Sequence, residues 1–188
     1  MALMRLFVAI DLPRNFKKEI FEISGKVAKE IPLRLVAKEN LHLTLVFLGE
    51  RNESQLEQIK KALKSSVEGL SPFTLVLKDL AVFPNNKRPR GIWFNIGGQK
   101  EKLFSLFKKI VDGLLKEGVN LEEKDLEFSS HCTLGRIPEK VKMPGNLEKK
   151  IAWVNLGKEF LVEKIILYQG KLSSKGPTYI KLGEFRLK

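Results

Sequence analysis

An α+β fold built as two related lobes, with antiparallel sheets and helices on one face, follows from three features of the 188-residue sequence. Apolar residues recur with period 2 in some stretches and near period 3.6 in others, and the two patterns take turns along the chain. The links between consecutive strand patterns are short, which antiparallel pairing allows and parallel pairing does not. The pattern His-x-Thr-Leu occurs twice, at His42-Leu43-Thr44-Leu45 and His131-Cys132-Thr133-Leu134, 89 positions apart and so close to half the chain.

The elements can be justified in order. MRLFVAIDL reads as a strand. Pro13-Arg14-Asn15 then opens a helix with Phe16, Ile20, Ile23 and Val27 on one face. RLVA and LHLTLVFLG read as strands, and Asn52 is placed to cap a helix from Glu53 to about Val67, with Leu56, Ile59, Leu63 and Val67 inward. FTLVLKDLAVF and RGIWFNIG are strands joined by PNNKRPR. Lys100 to Lys116 is amphipathic through Leu103, Phe107, Ile110 and Leu114. EFSSHCTLGRI is a strand, and EKVKMPGNLEKKI holds a loop and a short helix. KEFLVEKIILYQGKL and TYIKLGEFRLK are expected to form one long closing hairpin turned through SSKGP. No interdomain linker interrupts the order, so residues 1–188 are read as a single bilobal domain.

Composition narrows the function classes. Hydrophobic residues make up 43% and charged residues 30%, a folded and soluble balance. No apolar run approaches the roughly 18 residues of a membrane span. The apolar N-terminus contains Arg5, is closed by Asp11 and lacks a small-residue cleavage site, so a buried strand is expected there and not a signal peptide. The lone Cys132 suits a reducing cytoplasm. A net charge of +12 favours a polyanionic partner, nucleic acid ahead of an anionic membrane surface. No Gly-rich phosphate loop is present, and no cofactor is implied.

The two histidines are the only ones in the chain. Chance would follow a given histidine with x-Thr-Leu about once in 200 times, so two coincidences are a weak explanation. On a strand, residues i and i+2 face the same way, about 6.5–7 Å apart. His42 and Thr44 therefore share one face, while Leu41, Leu43, Leu45 and Phe47 are expected on the other, facing the core. His131 and Thr133 likewise share a face opposite Cys132 and Leu134. Two such displays across a cleft would supply two imidazoles, one giving and one taking a proton, with hydroxyls to bind phosphoryl oxygens. Zinc is disfavoured because no further histidine exists and no carboxylate stands at motif spacing. A Cys132–His131 nucleophilic pair is disfavoured because alternation separates the two side chains.

MRLFVAIDLP, NLHLTLVFLGE, FPNNKRPRGIWFNI, SSHCTLGR and LYQGKLSSKGPTY, in that order, resemble the 2H phosphoesterase superfamily, and within it the RNA 2′,3′-cyclic phosphodiesterase or 2′-5′ RNA ligase branch. The resemblance implies two pseudo-symmetric antiparallel sheets facing across a central cleft, with helices outside. It implies metal-independent hydrolysis of RNA 2′,3′-cyclic phosphate ends to 2′-phosphates, reversible as ATP-independent 2′-5′ ligation. His42 would be the proton donor and His131 the proton acceptor, with Thr44 and Thr133 on phosphate oxygens. Arg136, five residues after the second histidine, would reach the phosphate or adjoining nucleotide. The family often carries a proline before the second histidine and a serine in the closing hairpin, where this chain has Ser130 and Gly170.

Further binding candidates are Lys87, Arg88 and Arg90 in NNKRPR, as an electrostatic hand on RNA. Tyr179 and Phe7 are candidates for stacking on a base, though Phe7 lies in an apolar strand where a core position is the ordinary outcome. Lys171 and Lys175 read as surface lysines. The expected partners are RNA ends, tRNA halves among them, or small cyclic nucleotides, with no membrane or protein partner implied. The competing readings are a 2H phosphodiesterase for small nucleotide cyclic phosphates and a non-catalytic RNA-binding module.

Overall fold

A computed structural model describes residues 3–123, 126–129, 131–139, 141, 145–174 and 176–188. The order is β1 (Leu3–Asp11), α1 (Arg14–Glu30), β2 (Arg34–Leu35), β3 (His42–Asn52), α2 (Leu56–Ser66), β4 (Phe73–Phe83) and β5 (Gly91–Gly98). There follow α3 (Lys100–Lys116), β6 (His131–Arg136), α4 (Leu147–Ile151), β7 (Asn155–Val162), β8 (Lys164–Ser173) and β9 (Gly176–Arg186). Two antiparallel sheets result, one ordered β3-β1-β8-β9 and the other β2-β6-β5-β4-β7. The two strands that carry the histidines, β3 and β6, belong to different sheets and pack against each other where the sheets meet. Among the described residues no helix is long and apolar enough to cross a membrane.

Helix faces form where the apolar spacing places them. Phe16, Ile20 and Val27 of α1 are buried, and so is Ser24, whose hydroxyl donates to the Ile20 carbonyl at 2.7 Å and so enters the apolar stripe with its polar group satisfied. Before α2, the Asn52 amide donates to Gln55 Oε1 at 3.2 Å, and Glu53–Gln55 form a 3₁₀ turn, so the α-helix proper starts at Leu56. Most of the buried apolar residues of both sheets join with those of all four helices in one continuous core.

Three expectations are corrected. The stretch from Lys158 to Leu172 is not one hairpin arm: β7 pairs with β4 in one sheet and β8 pairs with β1 in the other. Only Glu163 separates them, and because the chain crosses between sheets without reversing, no turn residue marks the boundary. The RLVA strand is just Arg34 and Leu35, paired with Arg136 and Gly135, and Val36 adds a single bond to the Leu134 carbonyl at 3.0 Å. Of the strand expected over EFSSHCTLGRI, His131–Arg136 is formed, paired with β5 from Asn95 on, and residues 127–129 lie outside it.

The motif strands share an irregularity. In β3 the register with β1 slips between Val8–Val46 and Ala9–Thr44, leaving Leu45 without a partner. In β6 the register with β5 slips between Ile92–Gly135 and Trp93–Thr133, leaving Leu134 without one. The fourth residue of each His-x-Thr-Leu is thus the extra residue of a β-bulge. The bulge reverses the alternation beyond it. Leu45, Val46 and Leu48 are buried, whereas Phe47, expected in the core, is 53% exposed on the side of His42 and Thr44.

Candidate active site

His42 opens β3 opposite Asp11 of β1. Its Nδ1 donates to the Asn40 carbonyl at 2.6 Å, which leaves Nε2 of the neutral ring free to accept from the Thr44 hydroxyl at 2.9 Å. Asn40 is itself anchored, its side-chain amide donating to the Pro177 carbonyl at 2.7 Å. Phe7 lies 5.1 Å and Tyr179 5.3 Å from the imidazole, the latter edge-on at 86°. Burial lowers the His42 pKa below the usual imidazole value, the Asn40 carbonyl opposes that, and the Lys17 charge adds to it. Lys17 is held by Asp11 at 2.6 Å and the Glu39 carbonyl at 2.9 Å. The charge of His131 also lowers His42.

His131 is built on a related plan. The hydroxyl of Ser129, two residues upstream as Asn40 is from His42, is 3.4 Å from its Nδ1. Burial lowers its pKa as well, opposed by the Ser129 backbone. The Trp93 ring lies 3.9 Å from the imidazole at 36°. A cavity of about 300 Å³ opens here, lined by Phe83, Arg90, Gly91, Ile92, Trp93, Ser129, His131, Thr133 and Arg136. Cys132, fully buried, points into the core, where desolvation pushes its thiol up to about 12. Among the described residues no three His, Cys, Asp or Glu side chains gather as a metal site.

Arg136 and Arg90 therefore stand on the cavity wall beside His131 and Thr133. The charge of Arg136 also acts on Tyr179 of the other sheet, where it opposes the upward shift that burial gives the phenol. Lys87 and Arg88 lie outside the wall, at an exposed loop tip where both backbone amides donate to Asn85 Oδ1 at 3.0 and 3.1 Å. Phe7 is buried, yet not in the main core. It packs among His42, Phe47, Tyr168 and Tyr179 on the imidazole side of the sheet. A Cβ at Gly170 would sit 3.7 Å from the Tyr179 ring, ordinary contact, so the space a serine would occupy exists. Lys171 is exposed on β8, and Ser130 and Lys175 lie outside the described residues.

Sequence reasoning missed Trp93, Phe83, Tyr168 and Ser129. The signal for Trp93 was its strand: β5 pairs with the second motif strand, and an aromatic there, out of phase with the buried Ile92 and Phe94, must project on the histidine side.

Comparison with known proteins fits this geometry. The family model described as LigT like Phosphoesterase matches residues 10–93, which include the first motif. An RNA 2′,3′-cyclic phosphodiesterase of Methanocaldococcus jannaschii is 38% identical over 185 residues, covering 97% of this chain and 100% of its own. One from Thermotoga maritima is 32% identical, covering 96% of this chain and 94% of its own. The crystal structure of TT0787 of Thermus thermophilus superposes with a TM-score of 0.81 at 29% identity, covering 98% of each chain. Sheets, paired motifs and full-length relatives agree on a two-histidine phosphoesterase. The chain belongs to the LigT-like phosphoesterase family, with the RNA 2′,3′-cyclic phosphodiesterases as its full-length relatives.

Proposed function

We propose that this protein hydrolyses RNA 2′,3′-cyclic phosphate ends to 2′-phosphates, and that residues 1–188 act as one bilobal unit with a His-Thr pair from each lobe. The observation that carries this reading is the matched pair of imidazoles, one per sheet, each met at Nδ1 by the residue two positions upstream, the Asn40 carbonyl at 2.6 Å and the Ser129 hydroxyl at 3.4 Å. For His42 that bond fixes Nε2 as the working atom. Water attacks phosphorus as His131 takes its proton, and the bond from phosphorus to the 3′ oxygen breaks as protonated His42 donates to that oxygen. Thr44 and Thr133 donate to the non-bridging oxygens, and Arg136 with Arg90 binds the charged phosphate end. Exchange with solvent then resets both rings. When a 5′-hydroxyl replaces water, the same steps form a 2′-5′ linkage without ATP, and the roles of the two histidines exchange in reverse.

RNA is favoured as substrate by the net charge of +12 and by relatives that bear the RNA phosphodiesterase name at up to 38% identity. The single buried cysteine fits a reducing cytoplasm. An oligoribonucleotide ending in a 2′,3′-cyclic phosphate, incubated with the protein in EDTA, tests the reading. The expected product carries a 2′-phosphate; a 3′-phosphate, or hydrolysis only after metal is added, would overturn it.

A further inference from the structure

We propose that Phe83 is the stacking platform for the penultimate base of a single-stranded RNA 3′ end, which makes the substrate an oligonucleotide and not a mononucleotide. The inference rests on the phosphodiesterase reading above and extends its site outward. Phe83, Trp93 and His131 stand on the adjacent strands β4, β5 and β6. Their rings form a column, with centroids 4.2 Å apart from Phe83 to Trp93 and 3.9 Å from Trp93 to His131, tilted by 34° and 36°. Trp93 is the middle ring, on the strand between the other two, so both its neighbours are protein. Phe83 ends the column with 40% of its surface exposed.

The placement of Val82 explains that exposure. Val82 is buried in the core, so Phe83, next along the strand, must project from the opposite face. An exposed phenyl ring on a cavity wall, continuing a stack that ends on the proposed catalytic base, has the form of a base-stacking surface. The cavity between, about 300 Å³, has room for the terminal nucleotide beside Arg90, Arg136 and Thr133. The next base then falls on the open end of the column.

Charge continues along the same line. β4 ends at Phe83, and its carbonyl accepts from the Arg90 amide at 2.6 Å, so the loop 84–89 projects directly from the platform. Lys87 and Arg88 are exposed in that loop, and among the described residues neither forms an ion pair with an acidic side chain. Two free cations beyond an aromatic ring suit the phosphates upstream of a stacked base, whereas a mononucleotide would have nothing to offer them.

The test compares a mononucleotide 2′,3′-cyclic phosphate with a trinucleotide bearing the same end, in EDTA. The trinucleotide is expected to have the higher kcat/KM, by about tenfold. Removing its penultimate base as an abasic residue, with the protein untouched, should lose that factor. Phe83→Ala should lose it too and make the abasic change silent. Phe83→Tyr should restore the preference. Lys87→Ala with Arg88→Ala should flatten the salt dependence for the trinucleotide alone. Equal rates for the two substrates, or indifference of the wild-type protein to the abasic change, would overturn the proposal while leaving the hydrolase reading intact. Hydrolysis of neither substrate would instead sink the hydrolase reading.

Discussion

Thr44 Oγ1 lies 2.9 Å from Nε2 of His42, so the hydroxyl and imidazole of the first motif are hydrogen-bonded to each other across one strand face. A substrate phosphate must enter between them or beside them, with the hydroxyl turning from the ring to a phosphoryl oxygen. Thr44→Val keeps the β-branched shape and removes that donor. Its kcat/KM on a cyclic phosphate end should fall about 100-fold, the scale of one oxyanion donor, with the melting temperature nearly unchanged. Thr44→Ser should stay within about fivefold of wild type. A Thr44→Val protein as active as wild type would remove the threonine from the mechanism.

The pH dependence follows from the direction of both histidine shifts. Burial lowers each pKa below 6.5 in the free protein. The base must be neutral and the acid protonated, so kcat/KM should peak below pH 6.5 and decline above it. Bound phosphate favours both cationic rings, so the kcat optimum should lie at higher pH. Stability carries the opposite sign. Below pH 6.5 the unfolded chain binds more protons than the folded one, so stability should drop as pH falls from 6.5 towards the folded pKa values and level off beneath them. Histidine NMR titration checks the shifts directly, because only two rings resonate and each is assigned by its own substitution.

Arg136 belongs to the cavity wall and its charge reaches Tyr179 on the other sheet. Arg136→Ala should raise KM about tenfold with kcat changed less than threefold, as expected for a charge-assisted bond to substrate. Arg136→Lys should recover only part of the loss, because an ammonium cannot make the paired contacts of a guanidinium. A kcat defect without a KM effect would assign Arg136 to the chemical step instead.

Cys132 sits between the two second-motif side chains in sequence but on the other side of the strand, fully buried, with its thiol pushed up to about 12. Thiol alkylation of the folded protein should leave activity unchanged. Cys132→Ala should retain near-normal kcat while lowering stability by about 1–2 kcal/mol through the lost packing. Inactivation by a thiol reagent under native conditions would contradict this placement.

The parts of the fold legible in the sequence were those where one physical rule acted alone. Amphipathic spacing located α1 and α3 because each buries a single stripe, and period-2 alternation displayed His42 with Thr44 and His131 with Thr133. Phe47 escaped because the bulge at Leu45 changes the phase of the strand, and a bulge formed at a leucine leaves no glycine or proline to announce it. The crossing from β7 to β8 escaped for a similar reason, since a strand that changes sheets at Glu163 reads like one that continues. Trp93 and Phe83 became visible only once β4, β5 and β6 were aligned, because a ring column is a property of neighbouring strands and not of any one segment.

The central claim is that one phosphate is served by both imidazoles. Single-turnover hydrolysis of a cyclic-phosphate RNA by His42→Ala, His131→Ala and the double variant tests it most directly. Each single variant should lose at least about 1000-fold, and the double variant should be little worse than either, because groups that act as a unit are not additive. Either single variant retaining activity within tenfold of wild type, or losses that multiply in the double variant, would contradict the account.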